Sequence, residues 1–233
     1  MKTSDAQKVL DKVIKQIAGF ESTLTLEHFK QKFAYDIDLP VEVHDSTTGE
    51  STWTCTVNAG KYMTLTNVRK RGGIDDWMLP KRPVTSVNDI LAAWNEVNYA
   101  TTERHIDSLN VSESDTIYFS ENVYRSQDVA KSKNILFCNG VNTSEYLIAG
   151  QRSGGSTYCI RLEDSGECSN SFNVAWSKNI VNSLFIQDSS NLYECMFCSK
   201  LKDKKFCIAN MQFEKDEYYR LKKIVLAWLF SAS

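Results

Sequence analysis

Proline is nearly missing from this chain, with 3 residues in 233, so a proline-rich linker is excluded. No apolar run approaches the roughly 18–20 residues that cross a bilayer as a helix. An excess of one charge is also missing. Lys and Arg number 27 against 29 Asp and Glu, a net of −2, which argues against a general nucleic-acid or membrane-surface binder and against a disordered charged tail. The three histidines, His28, His44 and His105, are scattered, and no spacing pairs them with a nucleophile or a ligand set. The opening Met1-Lys2-Thr3-Ser4-Asp5-Ala6 turns charged and amphipathic at once, so no secretory signal is expected. What is present is an apolar content of 42%, enough for a sizeable core in one large domain or two small ones.

The strongest pattern is a repeat. Every third residue from Ser108 to Leu201 is Ser, Gly, Cys, Val, Ile or Leu, and Lys204 breaks the column. The 19 charged residues between Ser108 and Asp203 all avoid it, an outcome with a chance of roughly one in two thousand. A period of 3 is neither that of an α-helix nor that of a regular strand, and 3₁₀ runs rarely exceed a turn. Longer spacing supports stacked coils of 12 residues. Ser120-Glu121-Asn122-Val123 recurs as Ser132-Lys133-Asn134-Ile135, and Ser177-Lys178-Asn179-Ile180 recurs as Ser189-Ser190-Asn191-Leu192. The column would point inward, its small residues letting opposite walls approach. Asn110, Asn122, Asn134, Asn179 and Asn191 fall where bends need a residue tolerant of left-handed backbone. The alternation of Ser with aliphatics slips at Ser153–Ser156, which would move the Ser ladder to the opposite side of the coil.

Two resemblances accompany the pattern. The coils resemble those of beetle antifreeze β-helices, which also have 12 residues and inward Cys, Ser and Ala. The ice-binding Thr-x-Thr wall of those proteins is replaced here by Glu, Lys, Asn, Tyr and Phe, so coil geometry is implied and ice binding is not. The second resemblance is local. Cys195-Met196-Phe197-Cys198-Ser199-Lys200-Leu201 is followed by Lys204-Lys205-Phe206-Cys207-Ile208-Ala209-Asn210, Gln212-Phe213 and Lys215-Asp216-Glu217-Tyr218. Over about residues 195–218 this is similar to a Cys-rich repeat family of bacteria and phages, sometimes labelled CaiB/BaiF. Its chains carry Cys at every third residue, then Leu-x-x-Lys-x-Tyr-Cys-Ile-x-Asn and a Lys-x-Glu-Tyr helix start. The label suggests CoA transfer, but no residues here form a CoA site, and the resemblance implies no activity.

The ends read differently. Val9, Leu10, Val13, Ile14 and Ile17 recur at helical spacing over Asp5–Ala18, with Ser4 as N-cap. Residues 25–33 suggest a second helix, and the stretches 41–43 and 52–57 a hairpin. Residues 86–99 predict a helix with Ile90, Leu91, Trp94 and Val97 inward. Residues 214–230 predict a last helix, acidic early and basic later, as the helix dipole favours. The expected architecture is mainly β: a narrow β-solenoid of about eight coils over 108–213, an α+β head over 1–107, and a C-terminal capping helix over 214–233.

Candidate chemistry is thin. Cys195-x-x-Cys198 with Cys207 resembles a set of metal ligands, yet six of the seven Cys, all but Cys55, lie in the inward column. Reduced core-filling thiols are therefore expected, with no metal, cofactor or catalytic residue. Arg69-Lys70-Arg71 before Gly72-Gly73 reads as a solvated basic turn, with Lys61, Trp77, Lys81 and Arg82 nearby, not a phosphate loop. The segment Ile224, Val225, Leu226, Trp228, Leu229 and Phe230 is apolar around its circumference and is the expected partner-binding site. The leading functional expectation is a non-enzymatic structural or interaction protein, a component of a phage particle or similar assembly. The alternatives are a soluble inhibitor or binding module acting on a host enzyme, and an enzyme of unknown class. Partners are expected to be proteins or further copies of the chain, with no small-molecule substrate, nucleic acid or membrane. The expected location is the cytoplasm on synthesis, with a virion as a destination.

Overall fold

The computed structural model describes residues 1–231; the last two residues of the expected C-terminal segment 214–233 lie outside the described residues. The elements before the solenoid are α1 (Thr3–Ala18), α2 (Leu26–Phe33), β1 (Val41–His44), β2 (Ser51–Thr54), β3 (Tyr62–Thr64), α3 (Leu65–Gly72), α4 (Val87–Val97) and β4 (Ala100–Thr102). Short parallel strands then stack from His105 to Ile208, and α5 (Lys215–Leu229) closes the described chain. The protein is mainly β, a solenoid of about nine turns of roughly 12 residues. The inter-coil register steps by 12, as in Glu121 beside Lys133 beside Glu145, or Phe172 beside Leu184 beside Met196.

The coil closes through backbone that most sequences avoid. Every third residue from Asp107 to Ala209 has positive φ, whatever its type; Thr116 lies at 60° and Phe119 at 51°. The five Asn foreseen at bends are among them. A left-handed residue other than Gly costs about 1–2 kcal/mol. Here its N–H is not lost: Phe119 N donates to Ile106 O at 3.0 Å, Lys131 N to Tyr118 O at 3.0 Å and Phe137 N to Tyr124 O at 3.1 Å. Each bond reaches the preceding coil, so stacking offsets the conformational cost.

The inward column divides into two chemistries with separate tasks. In the first coils the aliphatics sit within the short strands, as Val123 in Glu121–Tyr124 and Ile135 in Lys133–Leu136, where the backbone pairs with its neighbours. Serines sit at the breaks between strands, where that ladder lapses. Ser132 N donates to Ser120 Oγ at 3.1 Å, and Ser120 Oγ donates to Tyr118 O at 2.8 Å. Each hydroxyl therefore satisfies one carbonyl in its own coil and one N–H in the next. Cys138 stands in for a serine, accepting from Gly150 N at 3.2 Å and donating to Leu136 O at 3.2 Å.

The slip at Ser153–Ser156 has a structural counterpart. A longer strand, Thr157–Glu163, follows it, and beyond that strand the strands are reframed by three residues. Ser153, Ser165, Ser177 and Ser189 then form a new ladder, Ser177 N donating to Ser165 Oγ at 3.1 Å and Ser189 N to Ser177 Oγ at 3.0 Å. The hydroxyls pass to the neighbouring column of the coil, three residues along, rather than to the opposite side, because they follow the strand breaks.

A second apolar column faces outward. Tyr124, Leu136, Ile148, Ile160, Phe172, Leu184 and Met196 are successive partners in the sheet, and all are buried. The helices cover them. α1 buries Val9, Leu10, Val13, Ile14 and Ile17 in this cluster, and α2 adds Phe29 and Phe33, the latter 5.3 Å from Phe172 between ring centres. The first two helices thus lie along the solenoid wall. α1 starts at Thr3 with Lys2 as N-cap, so Ser4 falls inside the helix, and Thr25 caps α2 through the His28 N–H.

Candidate functional site

α5 starts beside the last coil and runs back along the stack. Tyr218 meets Phe206 at 5.6 Å, Lys222 Nζ donates to Glu194 at 2.6 Å and to Asn182 O at 2.7 Å, and Phe230 meets Phe172 at 5.8 Å. Phe206, Glu194 and Asn182 are 12 residues apart, one per coil, so the helix axis follows the solenoid axis. The predicted partner-binding segment is split by this packing. Leu226, Leu229 and Phe230 are buried within the chain, and Val225 is half-buried against the same cluster. Ile224 and Trp228 are 58% and 63% exposed, one turn apart on the outer face. Beside Trp228 opens a groove of about 440 Å³ lined by Phe33, Tyr35, Arg161, Phe185 and Leu229. The Arg161 guanidinium is occupied there by Asp36, at 2.9 and 2.7 Å, and by Phe33 O at 2.6 Å, while Lys32 and Asn173 keep part of the mainly aromatic lining polar.

The more exposed surface lies on an arm, residues 65–99, that leaves the body between β3 and β4. These two strands pair in parallel and form its base. Asp45 locks the base, accepting from Thr64 N at 2.8 Å and Asn67 Nδ2 at 2.9 Å. α4 is built by local signals. Ser86 and Asp89 form a reciprocal capping box, and hydrogen bonds from Thr85 and Ser86 hold the Asp89 carboxyl down at about 2, so it is ionised at neutral pH. The expected inward packing of α4 is not found: Ile90, Leu91 and Trp94 are 55%, 52% and 54% exposed, and no residue of the helix is fully buried. The apolar face exists as the spacing foretold, but among the described residues no element covers it. Ile74 and Met78 on the same arm are also exposed.

The expected basic turn is helical: Arg69, Lys70 and Arg71 form the last turn of α3, where cations suit the helix dipole. Arg71 binds Asp75 at 3.1 Å and lies 4.1 Å from the Trp77 ring centre, and Arg82 binds Glu96 at 2.6 Å. Among the described residues, the exposed side chains of Arg69, Lys70 and Lys81 form no ion pair.

Polar groups elsewhere are spent on structure. Asp115 is buried in the first coils; burial pushes its carboxyl up, but Arg104 and the Cys55 N–H outweigh that and hold it below the usual carboxylate range. This network ties the hairpin of β1 and β2 to the solenoid. His105 is bound to Ser114 O at 2.8 Å, and His28 and His44 stay apart from it in separate elements. Burial pushes the Cys138 thiol up to about 12 and Cys168 up to about 11, so both are protonated at neutral pH. Cys195 and Cys207 are register partners with Cys198 three residues on, all buried. Among the described residues no group of three or more His, Cys, Asp or Glu is arranged to hold a metal, and no helix is long and apolar enough to cross a membrane.

Sequence reasoning found the apolar face of α4, though it placed it inward, and the apolar residues 224–230, though not their division, and it missed the groove. Its lining comes from residues more than 190 positions apart, and only the 12-residue column from Tyr124 to Met196 hinted that the wall would be covered. Together these features define a β-solenoid repeat protein with two open apolar surfaces. No protein-family model matches the chain, and none of the curated proteins matches it.

Proposed function

We propose that this is a non-enzymatic structural or interaction protein, a component of a phage particle or similar assembly, in which the solenoid is a rigid support and the arm makes the contact. One observation supports the reading above others: Ile90, Leu91 and Trp94 share a helix face and are each more than half exposed. Burying such side chains against a partner is worth roughly 1.5–3 kcal/mol apiece, a strong drive to dock. The resemblance of residues 195–218 to repeat proteins of bacteria and phages points the same way. The test is size fractionation of the cells or particles that carry the protein. The chain should travel with material far larger than one copy, in fixed proportion to it, and Leu91→Glu should release it. A chain found free in every fraction overturns the reading. A one-to-one complex with a soluble enzyme would replace it by the inhibitor reading.

A further inference from the structure

We propose that the wall of the solenoid carries a binding site for a neutral oligosaccharide, with Trp176 as its stacking platform. The inference goes beyond docking by the arm and uses a wall outside the apolar column that the helices cover. Two shallow grooves, of about 800 and 890 Å³, run across the coils there and adjoin at Thr143. Both follow the serine ladders, the first over Ser120, Ser132 and Ser144 and the second over Ser177 and Ser189. These serines turn inward and are buried, so only backbone is left between the side chains on either side, and a trough results.

Each trough has one bare aromatic ring on its rim. Eight solenoid residues with positive φ are aromatic, and six of them pack against another ring, as Tyr146 on Tyr158 and Phe185 on Phe197 at 4.5 Å. Phe119 and Trp176, 58% and 61% exposed, have no ring or cation against them among the described residues, and they stand on the first and the second groove. A bulky residue adopts left-handed backbone at a cost, and at these two corners no packing of the ring offsets it. Around Trp176 the second groove is lined to suit hydroxyls. Asp164 and Asp188 stand one coil to either side of it in the same column. Arg152 holds Asp164 at 2.6 Å, but among the described residues the Asp188 carboxylate and the Trp176 Nε1 make no hydrogen bond. Across the serines, the stacked Gly154 and Gly166 lower the rim, with no side chain to fill the trough.

A sugar chain matches both features. The weakly positive C–H face of a sugar ring meets the negative face of an aromatic ring, while its hydroxyls donate to a carboxylate. From Gly154 to Ser190 the trough crosses three coil steps, ~14 Å at the spacing of stacked strands, which is room for a few sugar units. Other ligands fit less well. An extended peptide would need a free amide edge, but the floor is spent: Lys178 N donates to Ser189 O, Gly166 N to Ser177 O and Ser189 N to Ser177 Oγ. A nucleic-acid strand also stacks on aromatic rings, but the lining sets Asp164, Glu167 and Asp188 against Lys178, which Glu167 occupies at 3.0 Å. A lone cation would meet one open ring rather than an aromatic cage.

The experiment titrates the full chain by calorimetry with a panel of neutral linear oligosaccharides of hexose and N-acetylhexosamine units; heparin fragments and a lysine-rich peptide are the charged controls. At least one neutral chain should bind, with an affinity insensitive to salt. Trp176→Asn should weaken that binding more than about tenfold without lowering the melting temperature, since Asn suits the left-handed corner, and Trp176→Phe should restore most of it. Asp188→Ala should weaken it severalfold. Leu91→Glu on the arm should leave it unchanged, which separates this site from docking. No binding of any neutral chain, binding undiminished in Trp176→Asn, or tighter and salt-dependent binding of heparin or of the peptide would each overturn the proposal, while leaving the reading of the arm as it stands.

Discussion

In the solenoid, inward residues repeat every three positions, serine alternating with an aliphatic, and the aliphatics meet their counterparts twelve residues away in the next coil. In the arm, apolar residues repeat at helical spacing just as regularly, and they face water. Ile135 is fully buried between Val123 and Leu147, its partners in the coils on either side; Leu91 is half exposed with no facing element. The difference lies in what the repeat supplies. A coil motif copied along the chain carries its own partner, because coil n is the surface that coil n+1 needs. A helix stripe specifies only which residues share a face. What lies against that face must come from another part of the chain, as for α1, α2 and α5, or from another molecule.

Four measurements would break or sharpen this contrast. The largest effect belongs to a charge in the inner column. Ile135→Asp should cost ~4 kcal/mol or more, since no partner is within reach of a carboxylate there. Leu91→Asp on the arm should change stability by less than about 0.5 kcal/mol. Equal losses in denaturant titrations would mean that the arm is part of the cooperative core. Next comes α5. Phe230→Ala should cost about 3 kcal/mol, because it empties a site against Phe33 and Phe172, while Trp228→Ala, two residues away on the outer face, should cost under about 1 kcal/mol. Similar melting shifts for the two would contradict the packing of α5.

The serine ladder gives the third effect. Ser132→Ala strands the N–H of Ser144 and should cost about 1–3 kcal/mol, whereas Ser132→Cys should keep most of the stability, as Cys138 does at its own strand break. Alanine tolerated as well as cysteine would show that size alone governs the column. The smallest effect belongs to the outer wall. Lys133 pairs with Glu121 at 2.8 Å, but both are well exposed, so Lys133→Ala should cost less than about 0.5 kcal/mol. A loss above 1 kcal/mol would point to a buried role for that wall.

Much of the architecture was legible in the chain because its signals are local or periodic. The left-handed Asn positions, the break in the column at Lys204 and the reframing near Ser153 can all be read from spacing. The candidate site was legible only in part. The apolar circumference of residues 224–230 was visible, but its division was not, since Phe230 is claimed by Phe33 and Phe172 from distant parts of the chain and Leu226 is buried in the same cluster. The hydroxyl bonds of the serines were likewise hidden, because period alone does not reveal whether a small residue is chosen for its size or for its oxygen.

By itself the sequence determined the 12-residue coil, the identity of the inward column and the helices that flank it. Each of these follows from residues that meet at fixed, short separations. Only the tertiary structure decided which apolar faces would be used. The column from Tyr124 to Met196 is covered by α1, α2 and α5, while the stripe of α4 is not, although both are apolar. Burial depends on which surfaces the folded chain brings together, and the arm, held at its base by β3 and β4, is not brought against the groove beside Trp228.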